Sequence, residues 1–239
     1  MRIDKFICDT VNITRTQVKN KISKGCVFVN GERVKTASLQ IDEKNANVVM
    51  DGQTIVYNKF VYIMMNKPAG VISASTDKKA VTAIDLLNQQ DKHKDLFVAG
   101  RLDKDTTGFL FITNDGELAH NILSPKKHVN KTYLVTLESD IQDNYQSAFK
   151  EGVELLDGYK CKSAAFEQVD KNICTLEIVE GKFHQVKRMF EALGNKVVAL
   201  KRIKMCDIDL DDSLNEGEYR HLHSSEIEQI VNKITKNNR

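Results

Sequence analysis

The chain has 239 residues, of which 41% are hydrophobic, and a net charge of +2. That length holds one large domain, or a small one beside a medium one, and a charge so near neutral singles out no partner class. Five scattered cysteines (Cys8, Cys26, Cys161, Cys174 and Cys206) with no C-x-x-C pair argue against a disulfide framework and against a zinc site, so reduced thiols and no bound metal are expected. The N-terminus MRIDKFICDTVNIT is charged too early for a signal peptide, and no apolar run approaches the roughly 18 residues of a membrane span. A cytoplasmic protein with no membrane partner is the expectation.

Residues 1–35 carry eight cations against three acids, a local excess of +5 that leaves −3 for the rest. Such a basic module is either an electrostatic foot for a polyanion or a lysine-rich solvated surface. Within it, Thr14 and Gln17 in TRTQ form a capping box that predicts a helix from Arg15 to about Lys24, stopped by Gly25. Arg15 and Lys19 share a face of that helix at i, i+4, beside the apolar pair Val18 and Ile22. Asn30-Gly31 and Asp51-Gly52, each between apolar positions, predict two tight hairpins. Two short helices and small hairpins thus make a module of about 57 residues.

RIDKFI, TRTQVKNKISKGCVFVNG and their spacing resemble the alpha-L RNA-binding fold named after ribosomal small-subunit protein four. The resemblance implies that the basic second helix and the glycine turn after it lie against RNA phosphates. Here that points to Arg2, Lys5, Arg15, Lys19 and Lys24 as RNA-binding residues.

From about Phe60 the pattern changes to alternating strands and helices. FVYIMM, LFVAG, GFLFIT, TYLVTL, ICTLEIVE and KVVALKRI are β-branched or aromatic and bounded by turn residues, so strands are predicted there. Helices are predicted at AVTAIDLLNQ, at ELAHNIL, within 141–150, at HQVKRMFEALG and at SEIEQIVNKIT. In HQVKRMFEALG, Val186, Met189, Phe190 and Leu193 form the buried face and Gly194 the stop. In SEIEQIVNKIT, Ser225 and Glu228 suggest another capping box, and KITKNNR suggests a frayed tail. Short runs with strands in excess predict an α+β fold around a mixed, mainly antiparallel sheet flanked by helices. The expected division is 1–57 and 60–235.

Between LFVAG and GFLFIT, the segment RLDKDTTG is too polar for a core and too long for a two-residue turn. It is predicted to be a loop at the sheet's edge presenting Arg101, Asp103 and Asp105. On residue types alone, Asp103 and Thr106 could simply turn the chain.

The longer stretch AGRLDKDTTGFLFITNDGELAHNILSPKKHVNKTYLVTL resembles the signature of pseudouridine synthases. Gly100 before RLD resembles the ribosomal small subunit pseudouridine synthase A family more than its large-subunit relative, where His usually stands. NKPAGV, EGKFHQVKRMFEALGN, VVALKRI and LNEGEYRHL extend the match over nearly the whole chain in the family's order.

The resemblance implies isomerisation of a uridine within RNA, without metal or cofactor. It assigns the catalytic aspartate to Asp103 and leaves Asp105 without a catalytic role, so Asp105 is expected to be solvated. Arg101 matches the arginine that enters the RNA helix and holds the flipped nucleotide, although an ordinary phosphate contact would place it there too. Tyr133 matches the active-site tyrosine and Leu200 the aliphatic residue on the uracil's other face; each would otherwise be ordinary core. Lys187 stands where the family usually has arginine, and a cation there, with the helix dipole, would hold Asp103 ionised. A lysine is a point charge rather than a bidentate fork, which changes the geometry of that pair. His184 is expected to be structural, and MCD after Lys204 departs from the usual IG. The implied partner is ribosomal RNA or an assembling small ribosomal subunit, met by a monomer. A target in large-subunit RNA, or a non-catalytic assembly factor, are the alternatives.

Overall fold

A computed structural model describes the chain except residues 12, 58, 93–94, 125–126, 128 and 237–239, and except the side chain at 236. Two compact units emerge: Met1–Val61 with Leu87–Leu96, and Tyr62–Leu86 with Phe97–Arg239. Among the described residues no helix is long and apolar enough to cross a membrane.

The first unit opens with α1 (Ile3–Val11) and α2 (Arg15–Ser23). Both arms of the Thr14–Gln17 capping box are present. α1 buries Ile3, Phe6 and Ile7 at helical spacing and α2 buries Val18 and Ile22, against Val27, Val34 and Val48. β1 (Val27–Val29) and β2 (Glu32–Arg33) join through Asn30-Gly31, and β3 (Val48–Met50) and β4 (Gln53–Ile55) through Asp51-Gly52. All four turn residues have positive φ, as the primed turns of such hairpins require. The four-stranded sheet runs β2-β1-β3-β4.

The second unit is built on a nine-stranded sheet. Its strands are β5 (Tyr62–Lys67), β6 (Phe97–Ala99), β7 (Thr107–Thr113), β8 (Lys131–Leu137), β9 (Ala165–Gln168), β10 (Ile173–Ile178), β11 (Val197–Met205), β12 (Ile208–Asp209) and β13 (Tyr219–His221). They run β13-β5-β7-β11-β8-β10-β9, with β6 on β7 and β12 on β11. Among the described strands of this sheet only β7 and β11 pair in parallel, Thr107 opposite Lys201 and Gly108 opposite Arg202. At that crossing the backbones come so close that a Cβ on Gly108 would lie 2.3 Å from the Arg202 carbonyl oxygen, and φ is 96°; only glycine fits.

The helices are α3 (Gly116–Leu123), α4 (Tyr145–Glu151), α5 (Gln185–Ala192) and α6 (Ser224–Lys236). α5 is anchored by an aromatic cluster in which Phe190 and Phe166 lie 5.0 Å and 5.3 Å from Phe149. That packing sets where the start of α5 points.

Two expectations are corrected. AVTAIDLLNQ forms only a 3-10 turn, Ile84–Leu86. Its backbone is already engaged by Ile72, whose N–H donates to Val81 and whose carbonyl accepts from Ala83, and the Asp85 carboxylate folds back onto the Thr82 N–H and hydroxyl. Ser225 and Glu228 do not cap α6. The helix starts one residue earlier, and Glu226 accepts the His223 N–H at 2.7 Å because the Arg220 fork holds its carboxylate at 2.8 Å on both oxygens.

Candidate active site

The loop 101–106 leaves β6 at Gly100 and enters β7 at Thr107. The Ser73 hydroxyl donates to the Leu102 carbonyl (2.8 Å) and accepts the Leu102 N–H (3.0 Å). The Gly70 N–H donates to the Lys104 carbonyl at 2.8 Å, and Thr106 closes the turn by donating to the Asp103 carbonyl at 3.1 Å. Beneath the loop, Lys67 donates its Nζ to the carbonyls of Pro68 (2.8 Å) and Lys104 (3.3 Å). Burial pushes Lys67 down to about 8, although Asp105 and Asp103 pull it upward. Buried Arg202 ties β11 to the loop's entry, donating to the carbonyls of Phe109 and Gly100, both at 2.7 Å. Gly100 has φ 89°, and a Cβ there would meet the Met205 methyl at 3.1 Å. So braced, the loop holds its carboxylate in place before any ligand arrives.

The Asp103 side chain is 28% exposed, with His184 Nε2 3.5 Å from Oδ1 and Lys187 Nζ 3.6 Å from Oδ2. Both partners come from the start of α5. His184 takes a left-handed conformation at the N-cap, φ 51° and ψ 31°, and Lys187 follows within the first turn. The structure therefore brings the expected pair Asp103 and Lys187 together, with a difference. Lys187 has a shorter partner in Asp105, at 2.6 Å, and that hydrogen bond holds the Asp105 carboxyl below the usual carboxylate range. Asp105 is 74% exposed, in line with a solvated group, yet it competes for the lysine. His184, expected to be structural, is the other group beside Asp103.

Asp103 opens on a cleft of about 960 Å³. Tyr133 on β8 and Leu200 on β11, both 8% exposed, line it. Arg101 is exposed at its rim. The lining holds six cations, Arg101, Lys104, Lys131, Lys162, Lys182 and Arg202, against two acids, Asp103 and Glu180. A field of that sign inside a concave wall concentrates anionic ligands. Among the described residues, no cluster of three His, Cys, Asp or Glu side chains could hold a metal.

Sequence reasoning missed Lys67, Glu180 and Arg202, all buried. Glu180 accepts from the Tyr159 hydroxyl, the Lys162 N–H and the Gln185 side chain, and so shapes the segment leading into α5. A charged residue inside an otherwise apolar strand was the available signal for Lys67 and Arg202; Glu180 had none.

In the first unit, Lys5, Arg15, Lys19 and Lys24 are exposed, and none of the four is in an ion pair among the described residues. Arg2 is not so free. Its guanidinium forks onto Asp4 at 3.0 and 2.8 Å, and that contact holds Asp4 below the ordinary carboxylate range.

Comparison with known proteins identifies the family. Residues 61–192 match the family model described as RNA pseudouridylate synthase, and residues 1–46 match the S4 domain. The chain is 46% identical to ribosomal small subunit pseudouridine synthase A of Haemophilus influenzae, over 97% of this chain and 100% of that one. It is 44% identical to the uncharacterized RNA pseudouridine synthase YtzG of Bacillus subtilis, over 95% and 97%. A crystal structure of a pseudouridylate synthase, 42% identical, superposes with a TM-score of 0.68 over 96% of this chain and 99% of that one. The chain belongs to the RNA pseudouridylate synthases and, within them, to the ribosomal small subunit pseudouridine synthase A family.

Proposed function

We propose that this synthase converts one uridine of small-subunit ribosomal RNA to pseudouridine, in the cytoplasm, with Asp103 as its catalytic carboxylate. The observation that carries the reading is a carboxylate fixed by backbone contacts at the mouth of a cation-lined cleft, with Lys187 and His184 beside it. The names of the small-subunit relatives support the choice of RNA. Residues 1–57 act as the RNA-binding domain, through Lys5, Arg15, Lys19 and Lys24 with a lesser part for Arg2, and 60–235 as the catalytic domain. The chain works as a monomer on free RNA or on an assembling subunit.

The chemistry follows from the groups present. Asp103 acts at ribose C1′ as nucleophile, or as base on the sugar, while the C1′–N1 bond breaks. The detached uracil turns to present C5, and a C1′–C5 bond forms as the Asp103 oxygen leaves C1′, or as the sugar regains the proton that Asp103 had taken; the C5 proton leaves and N1 gains one. One C–N bond is exchanged for one C–C bond with no net oxidation, so the step calls for no electron carrier. Lys187 neutralises the carboxylate's surroundings, Tyr133 and Leu200 sandwich the ring between an aromatic and an aliphatic face, and Arg101 holds the flipped nucleotide's place.

The test is single-turnover conversion of small- and large-subunit ribosomal RNA transcripts at saturating protein, with pseudouridine mapped along each. Product confined to one uridine of the small-subunit transcript is expected, with none from Asp103→Asn although its RNA affinity stays within about threefold, since the amide has neither charge nor basicity. Product only in the large-subunit transcript would overturn the substrate, and product from Asp103→Asn the catalytic assignment.

A further inference from the structure

Phe183 precedes His184 and is 77% exposed. A single exposed apolar side chain is common and by itself carries no meaning. Three facts set this one apart. Its ring stacks on His184, centroids 3.7 Å apart at 20°. That same histidine reaches Asp103 at 3.5 Å, and both rings line the catalytic cleft.

The segment is also built rigidly. The Gln185 side chain accepts the Lys182 N–H at 2.8 Å and donates to buried Glu180 at 2.7 Å. Arg188 donates to the Phe183 carbonyl at 3.4 Å and is itself held by Asp157 at 2.5 Å. A backbone clamped on both sides of Phe183 holds an aromatic face out in water, where burial would otherwise be favoured.

We propose that Phe183, backed by His184, is a nucleobase-binding subsite that stacks an unpaired base of the RNA next to the uridine being modified. RNA-reading proteins receive unstacked bases on aromatic faces, and extracting one uridine from the RNA leaves its neighbours without a stacking partner. Position decides which base is bound. The ring that reaches Asp103 belongs to His184, so a base on the outer face of Phe183 is separated from the carboxylate by two aromatic rings, Phe183 and His184. That is a neighbour's place, while the reacting uracil belongs beside Asp103. Lys182, exposed and in the cleft lining, is adjacent in sequence to meet a phosphate of the same strand.

The inference rests on the reading that RNA is the substrate, and its test separates the two. In single-turnover assays of full-length Phe183→Ala, Phe183→Leu and Phe183→Trp on the small-subunit transcript, Ala and Leu should both raise the half-saturating protein concentration about ten- to hundredfold, as loss of one stacked base does, while Trp stays within about threefold. The rate at saturation should change little, because binding shared by ground and transition state is what has been removed. A loop that merely collapsed would lower the saturating rate and would not be rescued by Trp. Leu equal to wild type, or Trp as impaired as Ala, overturns the stacking role. As a second arm, a single-stranded RNA carrying 2-aminopurine beside a uridine should show fluorescence changed on binding by wild type and Phe183→Trp but not by Phe183→Leu. If wild type makes no pseudouridine in the transcript, the substrate reading fails and this arm still decides the subsite: equal signals from all variants would sink it.

Discussion

Lys187 lies between two carboxylates, 2.6 Å from Asp105 and 3.6 Å from Asp103, and exposure decides which contact matters more. An ion pair with a carboxylate as open to water as Asp105 is worth about 0–1 kcal/mol, because solvent screens it and the flexible lysine loses entropy in making it. Asp105 therefore draws the lysine aside at little gain, and Asp105→Asn should leave turnover within about threefold of wild type or improve it. Lys187→Ala removes the ammonium 3.6 Å from Asp103 and should cost at least about tenfold in the single-turnover rate, with Lys187→Arg partly restoring it, a guanidinium keeping the charge but not the shape. If Asp105→Asn is inactive while Asp103→Asn works, the chemistry sits on the other aspartate. At this scale the sequence placed Asp103 and Lys187 correctly near each other. It could not show that a third group shares the lysine, because Asp105 and Lys187 meet only through a long-range fold contact, nor that His184, at the left-handed N-cap of α5, has its Nε2 3.5 Å from Asp103.

Strand β8 shows what alternation can and cannot tell. Lys131, Tyr133, Val135 and Leu137 are all buried while the residues between them are half-buried, the period-2 pattern expected of TYLVTL. The pattern places Tyr133 on an inward face, yet it also places Lys131 there, where sequence alone would have put a lysine in solvent. Its Nζ donates to the Val129 carbonyl at 3.0 Å, and burial, reinforced by Arg202, pushes it down to about 8. In the unfolded chain the same lysine titrates near 10.4, so between pH 8 and 10 the unfolded state binds more protons and this residue makes stability rise with pH. Below pH 8 both states are protonated and the burial penalty stands in full. Cys174 and Cys206, pushed up to about 12 by burial, act in the opposite sense above pH 9, because the folded state then keeps protons that the unfolded thiols lose. The difference between wild type and Lys131→Met isolates the lysine. Denaturant unfolding should show the variant gaining up to about 3 kcal/mol relative to wild type at pH 7, with the gap narrowing as pH rises from 8 to 10. A gap independent of pH would mean that the buried charge is not what separates them. The hairpin turns, the Thr14 cap and α5 were legible because their signals are local. AVTAIDLLNQ failed because Ile72, outside the segment, claims its backbone.

For the whole molecule, the cleft is assembled from residues more than a hundred positions apart, joined where β7 and β11 run parallel and Arg202 reaches Gly100. No local pattern announces that crossing, and the expectation of a mixed sheet did not place it. The charge division, by contrast, is a property of composition and needs no fold to be seen. Its +5 sits in the first 35 residues, and the structure leaves Lys5, Arg15, Lys19 and Lys24 exposed while Asp4 takes up Arg2 and Asp51 takes up Lys21 at 2.7 Å. Arg15 and Lys19 stand one turn apart on α2, exposed beside its buried Val18 and Ile22, so replacing both with Ala removes charge while leaving the buried side chains in place and keeps the helix, Ala being its best former. If this face neutralises RNA phosphates, the double variant should bind small-subunit transcript and unrelated RNA more weakly by the same factor. The slope of log affinity against log salt should fall by roughly one unit per lost contact, somewhat less on single strands, while the rate at saturating protein holds. A specific contact would instead weaken one sequence and spare the other, and an unchanged slope would place the charge of this module outside the RNA interface.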